Sequence, residues 1–256
     1  MKLRHFTAIL LSVVMLFTVL TACDLQPSPK ELLLLASANM LSNPYEMNID
    51  VNMSSDNEIV DQGVSILNGN YKAKVDGKNM EMTMSVAGVE VDYILADDVI
   101  YMNMSGLKIK IPVDEEQADA IMGDIIGSFD GSAEGLGDLT NATMTRENGL
   151  TTITINGAGD LINGLIGDMG DEFGEGVTMT VNPEKTSAIV VLDSSFNYKS
   201  MTLNMSLDYG HEEMEEKISV DCVYKYTFDF SNKFTVTAPE NADSYMNMDF
   251  DAIYGN

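Results

Sequence analysis

Basic residues are scarce in this chain. It has 14 lysines and arginines and 40 aspartates and glutamates, which give a formal net charge of -26 at pH 7. A field of that sign repels both the phosphates of nucleic acids and the head groups of anionic lipids. We therefore expect no nucleic-acid partner and no electrostatic adhesion to a membrane.

Cysteine and histidine are nearly absent, with two of each among 256 residues. His211, in Gly-His-Glu-Glu-Met, lacks the second histidine, four residues on, that a zinc-protease helix needs. The chain contains no Gly-x-Ser-x-Gly elbow, phosphate-binding loop or Cys-x-x-Cys pair. Hydrolase, nucleotide-binding and thiol-redox chemistry therefore lack a starting residue. We expect a protein that is not an enzyme and that uses no metal and no cofactor.

The chain has one long apolar run, Phe6–Leu20, which is 15 residues long. A membrane-spanning helix needs about 20 apolar residues, so this run is short for a permanent anchor. Lys2 and Arg4 precede the run and small residues follow it. This layout is typical of an export signal.

The end of this run, Leu20-Thr21-Ala22-Cys23, resembles the lipobox of bacterial lipoproteins. The resemblance implies a signal peptide over residues 1–22 and acylation of Cys23, which becomes the first residue of the mature protein. It places the protein on the extracytoplasmic face of the cell membrane, where two acyl chains give stable anchoring. A plain secretion signal with a chance cysteine is the alternative. If Cys23 is acylated, Cys222 has no partner, and its place in an alternating run predicts a small core residue.

A short tether, residues 23–29, leads from Cys23 to the first predicted helix. Ser28 and Glu31 have the spacing of a capping box, and Pro29 suits the first turn. Leu32–Leu41 is an apolar helical segment that Asn43-Pro44 ends. The sequence thus predicts one N-terminal helix.

After this helix, apolar and polar residues alternate, which is typical of half-buried antiparallel strands. Turns are expected at Asp76-Gly77, Asp97-Asp98 and Ser105-Gly106. Apolar residues recur at helical spacing over Asp114–Phe129 and Gly159–Glu175. The strands are expected at Met47–Met53, Tyr71–Val75, Met80–Val86, Val89–Leu95, Val99–Met104, Leu107–Val113, Met144–Ile155, Val177–Val181, Ala188–Asp193, Lys199–Asp208, Lys217–Phe230 and Phe234–Ala238.

This order of elements resembles the lipoprotein-carrier fold, the LolA and LppX-like half-barrel. The local resemblance to Gram-positive lipoproteins of that kind lies in two segments, Asp-Tyr-Ile-Leu-Ala-Asp-Asp-Val-Ile-Tyr-Met at 92–102 with Gly-Leu-Lys at 106–108, and Val-Thr-Ala-Pro-Glu-Asn-Ala at 236–242. Many relatives place a tryptophan after the paired strands, and this chain contains none.

The resemblance implies an α+β fold, a curved antiparallel sheet (half-barrel) wrapped round the N-terminal and inserted helices. The domain would span residues 30–242, and residues 243–256 would form a loose tail. In the family, the sheet and helices enclose a cavity that holds acyl chains or another apolar cargo. We therefore expect a non-catalytic lipoprotein whose ligand is a lipid or acyl chain.

Methionine is abundant, with 19 residues, many of them on predicted inward faces. Flexible thioethers line adaptable binding surfaces, although they also fill ordinary cores. The expected ligand contacts are Met82, Met84, Val91, Tyr93, Met201 and Met205.

Two other functions stay open. A sheet packed flat against helices gives the same alternation, and the protein would then be a surface interaction or structural lipoprotein with a closed core, no small ligand and an unknown protein partner. Methionines at alternate positions, as in Met80–Met84, Met102–Met104 and Met246–Met248, could hold copper(I), because thioethers are soft ligands. Core packing explains those methionines equally well.

Overall fold

The fold comes from a computed structural model that describes residues 27–86, 88–115, 117–118, 139, 141–157, 177–211 and 217–248. Several predicted features lie outside these residues. They are the signal peptide, Cys23, the helix expected over 114–129 beyond residue 118, the helix expected over 159–175, and the tail from residue 249.

The first described element is helix α1, Pro29–Ser42. The Ser28 hydroxyl accepts a hydrogen bond from the Glu31 backbone N–H at 3.3 Å, and the Glu31 carboxylate accepts one from the Ser28 N–H at 2.7 Å. This reciprocal pair satisfies backbone donors that a helix start leaves free, and it confirms the predicted capping box. Leu32, Leu33 and Met40 are buried, so α1 packs against the core through these side chains.

Thirteen strands form a single large, curved, sheet-dominated fold among the described residues. Their spatial order is β13-β6-β5-β4-β3-β2-β1-β12-β11-β10-β8-β7, and β9 pairs with the second half of β11. The pairing is antiparallel except between β13 and β6. The strands are β1 Tyr45–Ser55, β2 Gly69–Asp76, β3 Asn79–Val86, β4 Val89–Ala96, β5 Val99–Met104, β6 Leu107–Pro112, β7 Ala142–Glu147, β8 Leu150–Asn156, β9 Val177–Val181, β10 Ser187–Leu192, β11 Tyr198–His211, β12 Ile218–Asp229 and β13 Met246–Asn247.

The expected curved antiparallel sheet is confirmed, but helices contribute less than an α+β description implies. The described part of the chain contains two complete short α-helices, α1 and α2, Glu58–Val64, and Glu115, Gln117 and Ala118 are helical at the start of the helix predicted from Asp114. Helix α2 was not predicted from the sequence. No helix among the described residues is long and apolar enough to cross a membrane.

Tight turns connect the strands from β2 to β6 into a meander. Asp97 and Asp98 both have positive φ, 54° and 59°, and Ser105 and Gly106 have 51° and 92°. Two consecutive residues in the left-handed backbone region form a hairpin turn whose twist matches that of the adjoining strands. The predicted turns at these positions are confirmed.

The register divides the sheet into two faces of different chemistry. Apolar residues from neighbouring strands lie side by side on one side of the sheet, which we call the apolar face; examples are Met47 opposite Phe228 and Val75 opposite Met80. The other side, the polar face, carries the Lys74–Glu81 ion pair at 3.2 Å. Because residues alternate between faces with a period of two, the alternation in the sequence set this division.

Two expectations near the C-terminus were wrong. Residues 246–247 form β13 on β6, where a loose tail was expected from residue 243. Tyr245 is buried and packs edge-on against Tyr101 at 5.4 Å between ring centroids, which holds the segment on the edge strand. Residues 234–238 were expected to be a strand but are irregular, although Val236 is buried and its carbonyl accepts a hydrogen bond from Asn79 Nδ2.

Candidate ligand-binding face

Burial on the apolar face decreases steadily along strands β3 to β6. In the cross-strand row Met80, Leu95, Ile100 and Ile111, every side chain is at most 1% exposed. The next row, which includes Met82 and Met102, is half-buried. At the far end, Met104 and Leu107 are each 47% exposed. The face therefore changes from closed core to accessible apolar surface within three rows.

Four of the six predicted ligand contacts form one compact block on this face. Met82 pairs with Tyr93, and Met84 pairs with Val91, so the four side chains are direct cross-strand neighbours on β3 and β4. All four are half-buried. The block occupies the part of the face where burial decreases.

The other two predicted contacts, Met201 and Met205, are on the same face but in a separate group. They are half-buried and lie on β11, four strand positions from β3 in the spatial order. At about 4.8 Å per strand, the two groups are roughly 20 Å apart along the sheet. Met82 and Tyr93 of the first block and Met201 and Met205 all pack against the same buried core.

Aromatic side chains occupy the part of the face between these two groups, and they were not among the predicted ligand contacts. Tyr224 and Tyr226 are half-buried, and their rings are stacked, with centroids 6.4 Å apart and planes inclined by 16°. Tyr226 stacks on Phe228 with the same geometry. The alternation of residues 218–228 placed these rings on one face, but only the pairing of β12 with β1 and β11 puts them at the centre of the sheet.

Ionisable groups on this face are held in their neutral forms. Mainly through burial, the pKa of the Cys222 thiol is raised to about 11 and that of the Tyr226 hydroxyl to about 12. Burial also raises the pKa of Tyr224. From β6 to β11 in the spatial order, the rows of this face contain no aspartate, glutamate, lysine or arginine. Such a surface suits an uncharged, apolar ligand.

Two cavities formed by described residues do not include any of the six predicted ligand contacts. One, of about 180 Å³, is lined mainly by polar-face side chains that include Lys72 and Thr83. The other, of about 300 Å³, lies between the turns at Asn148 and Ser194. The expected cavity between the apolar face and the helices stays a prediction.

The methionines considered for copper do not face one another across the strands. Met82 lies between Ala73 and Tyr93, and Met102 lies between Tyr93 and Ile109. Within the described ranges, no cluster of three or more histidine, cysteine, aspartate or glutamate side chains is arranged to hold a metal ion.

The chain matches no model of a known protein family, and a search of curated proteins found no match. The resemblance to lipoprotein carriers therefore stays a prediction.

Proposed function

We propose that this protein is a lipid-anchored extracytoplasmic lipoprotein that binds a lipid or acyl chain on the apolar face of its sheet, without catalysis. In this proposal, the curved sheet is the half-barrel of a LolA- or LppX-like domain over residues 30–242. Acylated Cys23 holds the domain at the cell membrane.

The gradient of burial on an uncharged face is the observation that supports ligand binding. A closed core would bury the block of Met82, Met84, Val91 and Tyr93 as completely as the neighbouring row, yet these side chains are half-buried. Each methylene removed from water contributes about 0.8 kcal/mol, so a long acyl chain on this face gains on the order of 10 kcal/mol.

Blocking the face tests the proposal. We expect the full chain to carry lipid through purification, detected by native mass spectrometry, and to bind a pyrene-labelled neutral diacylglycerol. Met84→Trp fills the accessible part of the face and should weaken probe binding at least 10-fold. Ser85→Trp is the matched control, because Ser85 is exposed on the opposite face. Equal binding by both variants contradicts the proposed site, and no ligand in any form favours an interaction protein with a closed core.

A separate experiment tests the anchor. In cells fed a labelled fatty acid, the wild-type chain should incorporate label and sediment with membranes. Cys23→Ser should abolish labelling, because the chain then lacks the sulfur that is acylated. Cys222→Ser is the control and should keep both label and location. Labelling that persists in Cys23→Ser would contradict the lipobox interpretation.

A further inference from the structure

The connection between β1 and β2 is an arm, residues 57–68, that presents large aliphatic side chains to solvent. It consists of α2 and a 3₁₀ turn, Ser65–Leu67. Ile59 is 83% exposed, Ile66 is 49% exposed and Leu67 is 45% exposed. Grouped apolar exposure of this kind marks an interaction surface.

Hydrogen bonds hold the arm in place. Asn68 accepts a bond from the Met53 N–H and donates one to the Met53 carbonyl. The Asp61 carboxylate accepts from the Ser55 N–H at 2.9 Å, and the Asn57 side chain caps α2. Because both ends are bonded, the exposed side chains cannot fold back onto the core without breaking these bonds.

Three strand ends at the same end of the sheet as the arm also expose apolar side chains. Hairpin ends at Val89, Met104 and Leu107 lie at this end of the sheet and are 37%, 47% and 47% exposed. We call Ile59, Ile66, Leu67, Val89, Met104 and Leu107 the apolar rim. Met104 and Leu107 also end the accessible row of the ligand-binding face, so the rim and that face are continuous.

We propose that the apolar rim docks on a lipid bilayer whose head groups carry no net charge. The arm has no lysine or arginine, whereas Asp56, Glu58 and Asp61 on or beside it are acidic. Those carboxylates oppose an anionic surface. Protein-binding hot spots are rich in tryptophan, tyrosine and arginine, and the rim contains none of these. Docking would let an acyl chain pass between bilayer and apolar face without crossing water; this last step rests on the proposed function.

Tryptophan fluorescence tests the docking directly, since the chain has no tryptophan of its own. The full chain carrying Ile66→Trp is reconstituted into phosphatidylcholine vesicles whose acyl chains are brominated. The matched control is Ile189→Trp, at a site 37% exposed on the polar face. Both proteins share the same N-terminus, so attachment through that segment is common to them. Circular dichroism verifies that both variants fold.

Bromine should quench the emission of Ile66→Trp at least threefold more than that of Ile189→Trp. Equal quenching, or none in either variant, would overturn the proposal. Replacing half of the phosphatidylcholine with an anionic phospholipid should reduce the difference; an increase would overturn the choice of an uncharged surface.

A transfer assay separates this proposal from the proposed function. The double variant Ile59→Ser/Leu67→Ser should slow uptake of the labelled diacylglycerol from vesicles about 10-fold and leave its equilibrium affinity unchanged. If the apolar face binds no lipid, no chain takes up the probe, yet the quenching difference persists. If the rim does not dock, the quenching difference between Ile66→Trp and Ile189→Trp disappears, while binding of the labelled diacylglycerol persists.

Discussion

Two buried serines show how a single hydroxyl stabilises or destabilises this fold. Ser37 Oγ lies 3.0 Å from the Tyr198 hydroxyl in a buried hydrogen bond between α1 and β11. Ser206 Oγ is equally buried and has no hydrogen-bond partner among the described residues. We expect Ser37→Ala to lower the free energy of unfolding by about 1–2 kcal/mol and Ser206→Ala to raise it by up to about 1 kcal/mol. Urea denaturation measures both, and a loss of stability in Ser206→Ala would contradict the assignment.

The Cys222 thiol makes stability depend on pH in the alkaline range. Burial is the main cause that raises its pKa from 9.0 to about 11 in the folded state. The unfolded chain therefore releases this proton at a lower pH than the folded chain does. The stabilising contribution of the protonated thiol to the free energy of unfolding is present below pH 9 and is lost as the pH rises to about 11. The loss is on the order of 2–3 kcal/mol.

Cys222→Ala supplies the control for this pH dependence. Urea midpoints measured between pH 8 and pH 11 should fall more steeply for the wild type than for the variant. Parallel curves would show that Cys222 does not keep its proton in the folded state. Tyr226, whose pKa is raised to about 12 by burial, should contribute to the remaining slope in both proteins.

At the scale of elements, the arm between β1 and β2 depends on Asn68. Its side chain satisfies both backbone groups of Met53, which would otherwise lack partners in a half-buried position. We expect Asn68→Ala to cost about 1–3 kcal/mol and to raise hydrogen exchange over residues 57–68. Asn70→Ala, at an exposed position nearby, should leave both the free energy of unfolding and the hydrogen exchange of the arm unchanged. Unchanged exchange in Asn68→Ala would contradict the claim that these bonds hold the arm.

The elements also show which local signals suffice for prediction. The capping residues before α1 and the alternation of β3 to β6 predicted those elements and their turns. Helix α2 was missed, although Asn57 before Glu58 is a recognisable cap, because its short apolar pattern does not mark one clear helical face. The segment 234–238 has the alternation of a strand but pairs with no described strand; burial of Val236 and the hydrogen bond from Asn79 to its carbonyl hold it instead.

At the scale of the whole molecule, charge repulsion dominates electrostatics. The chain carries a net charge of -26; the Lys78–Glu115 ion pair is solvent-exposed, and the side chains of the Lys74–Glu81 pair are each 43% exposed. Salt screens repulsion among many like charges more than it weakens such pairs, which contribute little. We expect the urea midpoint to rise between low salt and about 0.5 M sodium chloride. A fall in the midpoint would indicate that attractive pairs control stability.

The sequence by itself determined which side chains share a face of each strand, because alternation with a period of two follows from local backbone geometry. It therefore predicted that Met82, Met84, Val91 and Tyr93 lie on an apolar face, and that Cys222 is a core residue. The tertiary structure alone decided which strands are neighbours, since pairing is a choice between distant segments of similar propensity. That choice placed β12 between β1 and β11, put the stacked tyrosines between the two groups of predicted contacts, and left the apolar rim exposed at one end of the sheet.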